Sequence, residues 1–525
     1  RSLVGSEMCI RDRDNGGIPI RECPHFSYYL ASILMKRLPY LLFLLLFITY
    51  FLCYQGVLSH VIYYHEQHHL FLFSKEYFFK QIHTEGLIAY LNDFVVQFFY
   101  IPILGSAILS GILAGIYLLT HYSFKKITGQ TDLLQLSLFP SICLFIYTMP
   151  VDHSLTPVVG VFLGLLLLAG INIFITKQWK CFIRIPWINV HGNKKNMAIS
   201  TISTIIYAIA ACYIFVQSYN MPERIMLMAE KSVKERNWEN TLTQTEKYIN
   251  SGRTNQLISY FHNLALYHTG KLPYHLFDYP QKLGVKSLYF PWNSDSRESE
   301  YGHFIYEDLG YINEAQRWEF ESMVVWGETA PHLINLARYN IANKRPKVAQ
   351  RFINLLKQSL FYKKEAEALE KWLPTGNVPG LKVSPGKTSN TPVRFANVIN
   401  IGPELQYLCE QDSTNRMAFE YLMGNLLLSN NVIRFVNNLK FIHNFDYPQM
   451  PPAYEEALYI YKLGVGEETF SKSGFTVSEQ TEKRFQQYYG LYKNREMQRL
   501  KSEFGNTYWY YLNFISPYGD KIIKN

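Results

Sequence analysis

The sequence predicts an all-α protein in which a five-helix transmembrane bundle is followed by a soluble α-solenoid. Two observations lead to this prediction. Charge is unevenly divided, because residues 1–217 carry 15 Lys and Arg and 10 Asp and Glu, whereas residues 218–525 carry 36 and 32. Apolar residues form long runs in the first part and recur at helical spacing in the second. The first part therefore suits lipid and the second suits water.

Residues 1–34 are expected to lie outside the fold. The opening RSLVGSEMCIRDR (1–13) resembles read-through translation of a sequencing adapter. Met35, followed by Lys36, Arg37 and an apolar run, has the pattern of a translational start. The alternative is a genuine, unstructured cytoplasmic tail. In either case the segment is excluded from the fold prediction, as a processing or cloning segment would be.

Five apolar spans predict a transmembrane domain over residues 35–217. They are residues 38–55, 95–120, 133–149, 155–176 and 198–217. No span has an Asp, Glu, Lys, Arg or His between its ends, and each is close to the roughly 20 residues that cross a bilayer core. Ion-coupled transporters usually place ionisable groups at depth, so the lack of such groups argues against secondary transport.

Basic residues in alternate loops predict the orientation of the spans. They are Lys36 and Arg37, then Lys125 and Lys126, then Lys177, Lys180, Arg184, Lys194 and Lys195. Loops rich in Lys and Arg stay in the cytoplasm. The predicted protein is therefore a multi-pass protein of the bacterial inner (cytoplasmic) membrane with a periplasmic C-terminal domain. Its net charge of +9 is assigned in part to membrane orientation, so membrane lipid is an expected partner and nucleic acid is not.

Small residues in two spans predict close helix packing. Gly111 and Gly115 form one GxxxG pair, and Gly160 and Gly164 have the same spacing. Such pairs let helices approach closely in lipid. They are interpreted either as a homodimer seam or as packing within the bundle, and the second interpretation is preferred.

The first external loop, residues 56–94, contains a candidate metal site. HEQHH (65–69) formally matches HExxH, which places His65 and His69 one helical turn apart with Glu66 as a general base. The available third ligands are His83, Glu85 and Asp93. The segment LFLF follows directly, instead of the longer continuation of zinc peptidases. The preferred interpretation is therefore an aromatic interfacial segment whose histidines face water or headgroups.

Carboxylates outside the membrane form the other candidates for chemistry. Glu66 and Asp93 match the acidic residue that lipid-linked sugar transferases often keep in a first loop, although five spans are few for that class. Asp152 and His153, between the third and fourth spans, form either an acid/base pair or a polar turn. No Walker A, GxSxG, kinase-loop or GxGxxG motif is present. The sequence therefore predicts no cofactor and no metal, and an enzyme is not the favoured interpretation.

The external half is predicted to be helical nearly throughout. It divides into a helical-repeat subdomain (218–373), an irregular Pro/Gly/Ser-rich linker (374–403) and a second repeat subdomain with a C-terminal cap (404–525). The predicted helical segments are 230–249, 254–271, 330–360 with a break at 343–346, 417–442, 451–464 and 478–504. The aromatic end, residues 506–520, either caps the array or forms a contact surface.

Internal repetition predicts that these helices form a tetratricopeptide-like array. AQRW (315–318) recurs as AQRF (349–352), a shift of 34 residues, which is the tetratricopeptide period. The match is partial, because several consensus positions are missing. Residues 284–311 mix aromatic and charged residues. They either line a groove that binds a peptide or glycan, or plug the superhelix with Phe290 and Trp292.

Three segments also carry a resemblance to known proteins. They are MKRLPYLLFLLL (35–46), GLIAYLNDFVVQFFYIPILGS (86–106) and LGYINEAQRWEFESMV (309–324). With them, the chain from Met35 onward resembles an uncharacterised family of bacterial inner-membrane proteins that have a multi-spanning N-terminus and a tetratricopeptide-like periplasmic half. That family has no assigned activity, so the resemblance implies an architecture and no mechanism.

These observations lead to one functional hypothesis and one alternative. The hypothesis is an integral inner-membrane protein that presents a periplasmic helical-repeat domain to another envelope protein, with no reaction assigned. The alternative is a membrane enzyme that acts on lipid-linked glycan or peptide through His65, Glu66 and His69.

Overall fold

The computed structural model describes residues 24–129, 131–174, 193–292, 296–381 and 401–518, and these ranges are helical without a strand. The all-α prediction is therefore confirmed for the described residues. The chain divides into two compact units. Unit 1 contains the described parts of residues 1–53 and 106–219, and unit 2 contains those of residues 54–105 and 220–525. The first loop thus folds with the C-terminal half, although the sequence analysis assigned residues 35–217 to one domain.

The α-helices follow one another in chain order. They are α1 (Pro24–Gln55), α2 (Ser59–His68), α3 (Lys75–Thr84), α4 (Leu87–Val96), α5 (Pro102–Thr128), α6 (Leu138–Tyr147), α7 (Thr156–Phe174), α8 (Asn193–Ser218), α9 (Met221–Lys234), α10 (Trp238–Asn250), α11 (Gln256–His268), α12 (Leu272–His275), α13 (Ser296–Ser299), α14 (His303–Leu309), α15 (Ile312–Trp326), α16 (Ala330–Ala342), α17 (Pro346–Leu356), α18 (Lys363–Trp372), α19 (Ile401–Gln411), α20 (Arg416–Leu428), α21 (Val432–Leu439), α22 (Pro452–Val465), α23 (Glu467–Ser471), α24 (Glu479–Lys493), α25 (Met497–Phe504) and α26 (Tyr508–Tyr510). Short 3₁₀ segments lie at Gln97–Tyr100, Gly284–Ser287 and Lys440–Asn444, and a π-helical turn at Tyr511–Ile515.

Four helices of unit 1 are long and apolar enough to cross a membrane. Within the described residues they are Arg37–Gln55 of α1, then α5, Thr156–Ile173 of α7 and Asn196–Ser218 of α8. These helices make the chain a membrane protein by length and composition. The basic residues Lys177, Lys180 and Arg184, used above to orient the spans, lie outside the described residues.

The prediction of five full-length spans is wrong at residues 133–149. This stretch contains only the ten-residue helix α6, which is about 15 Å long and about half the hydrocarbon thickness. The carboxylate of Asp132 accepts hydrogen bonds from the N–H groups of Leu136 and Ser137, which holds the preceding residues in a turn. The helix ends at Tyr147, before Pro150, which cannot donate a backbone hydrogen bond. Hydropathy records the apolar side chains but not these turns.

The second predicted span, residues 95–120, begins later than expected. Helix α5 starts at Pro102, after a separate 3₁₀ turn at Gln97–Tyr100. Between them Ile101 is extended (φ −104°, ψ 101°). A residue before proline avoids the helical region, while proline fits the first turn of a helix. The apolar run therefore contains two elements, which belong to different units.

The glycines of span two contact neighbouring helices inside unit 1. A Cβ added to Gly115 would lie 2.9 Å from the ring of Phe162 on α7, and one on Gly111 would lie 3.9 Å from the ring of Phe47 on α1. Close packing therefore requires glycine at position 115. Gly164 has nothing within 4 Å of such a Cβ. A homodimer seam stays a prediction.

Three-residue turns join successive helices of unit 2. Turns 235–237, 343–345, 429–431 and 494–496 connect α9 to α10, α16 to α17, α20 to α21 and α24 to α25. The middle residues, Arg236, Lys344, Asn430 and Arg495, all have φ between 54° and 60°. The predicted break at 343–346 is thus confirmed, with Pro346 opening α17. The single helix predicted over 230–249 is wrong, because the turn at Arg236 divides it.

The repeated residues take equivalent positions in unit 2. Ala315 and Ala349 are both fully buried, and Trp318 is buried where Phe352 is half-buried. The left-handed turn residues Gly310 (φ 83°) and Lys344 (φ 57°) each precede one of these alanines by five positions, so they are also 34 residues apart. The helix pairs therefore repeat locally, while the solenoid arrangement stays a prediction.

The aromatic segments of unit 2 mostly contribute to its core. Tyr508, Trp509 and Tyr511 near the C-terminus are buried, and the Trp509 indole N–H donates to the carbonyl of Glu456 (3.0 Å). This contact fits the capping interpretation of residues 506–520. Phe290 is buried beside Tyr260, whereas Trp292 is half exposed. Most of the predicted linker, residues 382–400, lies outside the described residues.

Candidate functional site

The HExxH residues of the first loop face different partners. His65 is buried, and neither of its ring nitrogens has a hydrogen-bond partner among the described residues. Burial holds the pKa of His65 well below its usual value. Glu66 accepts hydrogen bonds from the hydroxyl of Tyr362 on the loop before α18 and from the side chain of Gln67. His69 hydrogen-bonds Asp93 through Nδ1 (3.0 Å). Glu66 and His69 therefore hold the loop in place. Both also line one small cavity, and the rings of His65 and His69 lie with centroids 5.7 Å apart.

Asp93 is the anchor of the first loop. Besides His69, its carboxylate accepts hydrogen bonds from the hydroxyl of Tyr77 (2.7 Å) and the amide of Gln81 (3.1 Å). These three donors tie α4 to α3 and to the end of α2. A carboxylate with three donors is stabilised by them and is committed to the packing of the loop.

The remaining predicted site residues are His83, Asp152 and His153. His83 is exposed on α3 of unit 2, and Asp152 is exposed in unit 1. His153 donates from Nδ1 to the carbonyl oxygen of Tyr147 (2.7 Å) and stacks on the Tyr147 ring, as a polar turn would. Among the residues that the structure describes, no group of three or more His, Cys, Asp or Glu side chains could hold a metal ion.

The first loop packs directly against helices α16 to α18. The backbone N–H of Phe73 donates to the carbonyl of Gln358 (2.8 Å), and Leu70 and Leu72 belong to the apolar core of these helices. Tyr100 stacks on Phe361 with ring centroids 5.1 Å apart. Loop and helices therefore form one wall of unit 2.

A polar cavity of about 230 Å³ lies in unit 2. The first loop contributes Gln67 to its wall, and helices α9, α14, α15 and α16 with their turns contribute charged residues of both signs. The lining residues that carry charge or titrate are Lys234, Arg236, Glu300, His303, Glu307, Glu319, His332 and Arg338. None of them was among the predicted site residues.

Glu307 receives two arginines on one side of this cavity. Arg236 and Arg338 both donate to its Oε1, the second at 3.1 Å, and the hydroxyl of Tyr339 donates to Oε2 at 2.7 Å. Burial favours the neutral acid, but Arg338, His303 and Arg236 outweigh it and lower the pKa of Glu307. The carboxylate is therefore ionised at neutral pH, and the guanidinium groups exceed it by one positive charge.

A second ion pair closes the cavity near the first loop. Lys234 donates to Glu300 (2.6 Å) and to the side-chain carbonyl of Gln67 (3.2 Å). His68 lies 3.4 Å from the other oxygen of Glu300. Burial opposes the ionisation of Glu300, yet Lys234 and His68 hold its pKa well below the usual value. Removing Gln67 or His68 from the loop would leave part of this buried charge unpaired.

Glu319, His332 and Ser322 form a third group. His332 bonds Glu319 through Nδ1 (2.7 Å) and Ser322 through Nε2 (3.3 Å). The order of side chains matches a hydrolase triad, in which an acid orients a histidine that activates a nucleophile. Ser322 is fully buried within α15 and does not line the cavity, so no substrate reaches its hydroxyl. We assign this group to packing and to the cavity wall.

Sequence reasoning missed the cavity because each of its residues looks ordinary alone. A weak signal was present: His303 and Glu307 are four residues apart on α14, and Glu319 and Ser322 are three apart on α15, so each pair shares a helix face. Charged or polar residues on the helix faces that pack into the core of unit 2 could have indicated the cavity. The pairing across helices depends on tertiary contacts that the sequence does not display.

The described chain thus combines four helices that can cross a membrane with a helical unit that buries a charged cavity. The four long apolar helices are those of a membrane protein. The chain belongs to DUF6057, a family of unknown function, whose model matches residues 33–191 and 171–515. Neither the curated proteins nor the solved structures contain a significant match.

Proposed function

We propose that the protein is an inner-membrane protein of bacteria that presents unit 2 in the periplasm as a recognition domain for another envelope protein. The observation that carries the proposal is the joint folding of the first loop and the C-terminal half around one polar cavity. Unit 2 is built from residues 54–105 and 220–525. Membrane-capable helices precede and follow its first segment in the chain, so under this proposal they tether the unit to the membrane. Such tethering suits a protein that binds partners at the membrane surface.

The helix pairs of unit 2 support a recognition role. The 34-residue spacing of Gly310 and Lys344, and of Ala315 and Ala349, is the spacing of tetratricopeptide units. Arrays of such units stack into superhelices with extended concave binding surfaces. We therefore infer a tetratricopeptide-like array that binds a protein partner.

The way in which unit 2 is assembled supports the proposed orientation in the membrane. Residues 54–105 and 220–525 fold together, so they lie on the same side of the membrane. Among the described residues between these two segments, three helices are long enough to cross a membrane, namely α5, α7 and α8. Three crossings would separate the segments. The proposal therefore requires a fourth crossing. Helix α6 alone covers about half of the hydrocarbon thickness, so the turns that flank it would have to complete a crossing there.

Contacts within unit 1 support a crossing at α6. The Gln135 amide donates to the hydroxyl of Ser200 near the start of α8, and Phe145 stacks on Phe215 near its end. Fifteen residues of α-helix separate Ser200 from Phe215, which is about 22 Å of helix length. The stretch from Gln135 to Phe145 therefore runs alongside most of a membrane-capable helix.

With this crossing, the basic loops all lie on one side of the membrane, as the positive-inside rule requires. Lys36 and Arg37, Lys125 and Lys126, and the basic residues of 177–195 then all lie on one side, which is the cytoplasm. Unit 2 lies on the opposite side.

Site-specific photocrosslinking in cells tests the proposed function. The crosslinker would replace Val324, which is 82% exposed, or Ile433, which is also exposed, on unit 2. The proposal predicts one recurrent crosslinked protein. With the crosslinker at the neighbouring exposed residue Val325, its capture should be lost when aspartate replaces Val324 (Val324→Asp). A crosslinker at Leu167, exposed on α7, is the matched control and should capture lipid only. If no unit 2 position captures a protein, the proposed function is wrong.

A further inference from the structure

One buried carboxylate oxygen in the cavity wall has no donor. Glu319 is 1% exposed, and its Oε2 makes no hydrogen bond within the described residues. The nearest candidate, His303 Nε2, is 3.6 Å away, which is beyond hydrogen-bond distance, and burial lowers the pKa of His303. A buried polar atom without a partner costs about 1–3 kcal/mol, and more when it is charged. The oxygen therefore marks a position for a donor from outside the chain.

Around Glu307, in contrast to Glu319, the cavity wall carries two positively charged side chains. Arg236 and Arg338 share this single carboxylate, and Arg236 remains 41% exposed. Asp308 offsets part of the excess from 3.9 Å, but it lies behind the cavity wall and bonds His268 (2.8 Å). Guanidinium groups bind carboxylates with two parallel hydrogen bonds, so this end of the cavity suits an anionic group.

We propose that this cavity binds a small zwitterion that carries an ammonium and a carboxylate group, namely an α-amino acid or a short peptide. The ammonium donates to Oε2 of Glu319, and the carboxylate accepts from Arg236 and Arg338. A volume of about 230 Å³ accommodates a ligand of this size. Gln67 of the first loop and Lys234 close the cavity beside it. This binding goes beyond the recognition of an envelope protein and does not depend on it.

Calorimetry on the purified full-length protein in detergent tests the site. The probes are free amino acids and dipeptides, each compared with its N-acetylated form and its C-terminal amide. Hydrogen bonds to charged groups contribute about 1.5–3 kcal/mol, so loss of either charge should weaken binding at least about tenfold. Preference for amino acids over dipeptides, or the reverse, identifies the source of the zwitterion. If neither class binds at millimolar concentration, the proposal is wrong.

Two variants locate the binding. Glu319→Gln keeps an oxygen for His332 but removes the negative charge. It should weaken the binding of zwitterions more than the binding of N-acetylated ligands, which lack the ammonium group. Arg236→Gln leaves Arg338 and Tyr339 on Glu307, so it should fold and weaken carboxylate binding. Arg499→Gln, on an exposed pair of unit 2, is the control and should bind as wild type.

The outcomes separate this inference from the proposed function. Binding that neither cavity variant weakens would lie elsewhere and would overturn the inference. Melting curves of each variant distinguish a lost site from a lost fold. Failure of photocrosslinking at Val324 with intact zwitterion binding would reject only the protein partner.

Discussion

The two units differ in where they place polar groups. Unit 1 exposes apolar side chains such as Leu167 and Ile209 on its long helices, and it buries hydroxyls such as that of Ser141. Unit 2 buries carboxylates, including Glu307 and Glu319, and pairs most of them with bases. A protein surface in lipid is apolar, and its polar groups are satisfied within the helix bundle. In a water-exposed unit, buried charges are stable only when they are paired inside the protein. Stability in unit 2 should therefore depend far more on single charged residues.

Glu307→Ala should produce the largest loss of stability. It leaves Arg338 and Arg236 without their shared carboxylate, and breaking a buried pair costs about 3–5 kcal/mol. Denaturant unfolding of the full-length protein in detergent measures the change. Glu370→Ala, on the exposed pair with Lys357, is the control and should change unfolding little. If Glu307→Ala and Glu370→Ala lowered the free energy of unfolding equally, buried charge pairs would matter no more than exposed ones.

Two buried groups should give unit 2 opposite pH dependences. Burial lowers the pKa of His262 from 6.5 to about 4, so the unfolded chain takes up a proton first as pH falls below 6.5, and stability decreases. Burial raises the pKa of Glu456 from 4.5 to about 7, so its contribution is full below pH 4.5 and is lost as pH rises towards 7. Each fully linked group changes stability by at most about 1.4 kcal/mol per pH unit.

The variants His262→Gln and Glu456→Gln separate these contributions. Between pH 4.5 and 6.5, the first should remove an acid-side loss of stability and the second should remove an acid-side gain. The difference between each variant and wild type, measured by melting temperature across this range, should therefore slope in opposite directions. If the two differences in melting temperature changed with pH in the same direction, the roles given to His262 and Glu456 would be wrong.

Gly302→Ala should destabilise unit 2 by about 1–3 kcal/mol through overpacking. An added Cβ would lie 2.3 Å from the buried ring of Trp318, which cannot move freely. Gly464→Ala is the matched control, because nothing lies within 4 Å of its added Cβ on α22. The control should be neutral or slightly stabilising, since alanine favours helix. Loss of stability in the control alone would show that the packing at Gly302 is misjudged.

Ser141→Ala should have the smallest effect, although its hydroxyl is also buried. This hydroxyl contacts Tyr50 (3.1 Å) and the carbonyl of Leu113 (2.8 Å) inside unit 1. Hydrogen bonds between membrane helices contribute about 0.6 kcal/mol on average. Thermal unfolding in detergent, with the exposed Thr201→Ala as control, should show a shift far below that of Glu307→Ala. A comparable shift would remove the difference between the units.

The sequence predicted the features of the fold that depend on neighbouring residues. The break before Pro346 and the lipid-facing run of α8 follow from local chemistry and hydropathy. The turn at Arg236 escaped prediction because a left-handed arginine leaves no sequence signature comparable to glycine. The short α6 was missed because hydropathy does not report helix length.

The candidate site could not be predicted to the same extent. HExxH attracted attention because its residues are adjacent in sequence, yet Glu66 and His69 bond different elements. The cavity combines Gln67, Lys234 and Glu319, which are separated by 85 to 252 residues. Their pairing depends on the folding of the first loop onto the C-terminal half, which no local pattern announces.

Reporter fusions along unit 1 test most directly the claim that both parts of unit 2 lie in the periplasm. Alkaline phosphatase and green fluorescent protein would be fused after Gly129, Ser154 and Ser218 in a bacterial host. The account predicts a fluorescent fusion at 129 and active phosphatase at 154 and 218, because the stretch containing α6 crosses the membrane. If the fusions at 129 and 154 report the same compartment, or phosphatase is inactive at 218, the account is contradicted.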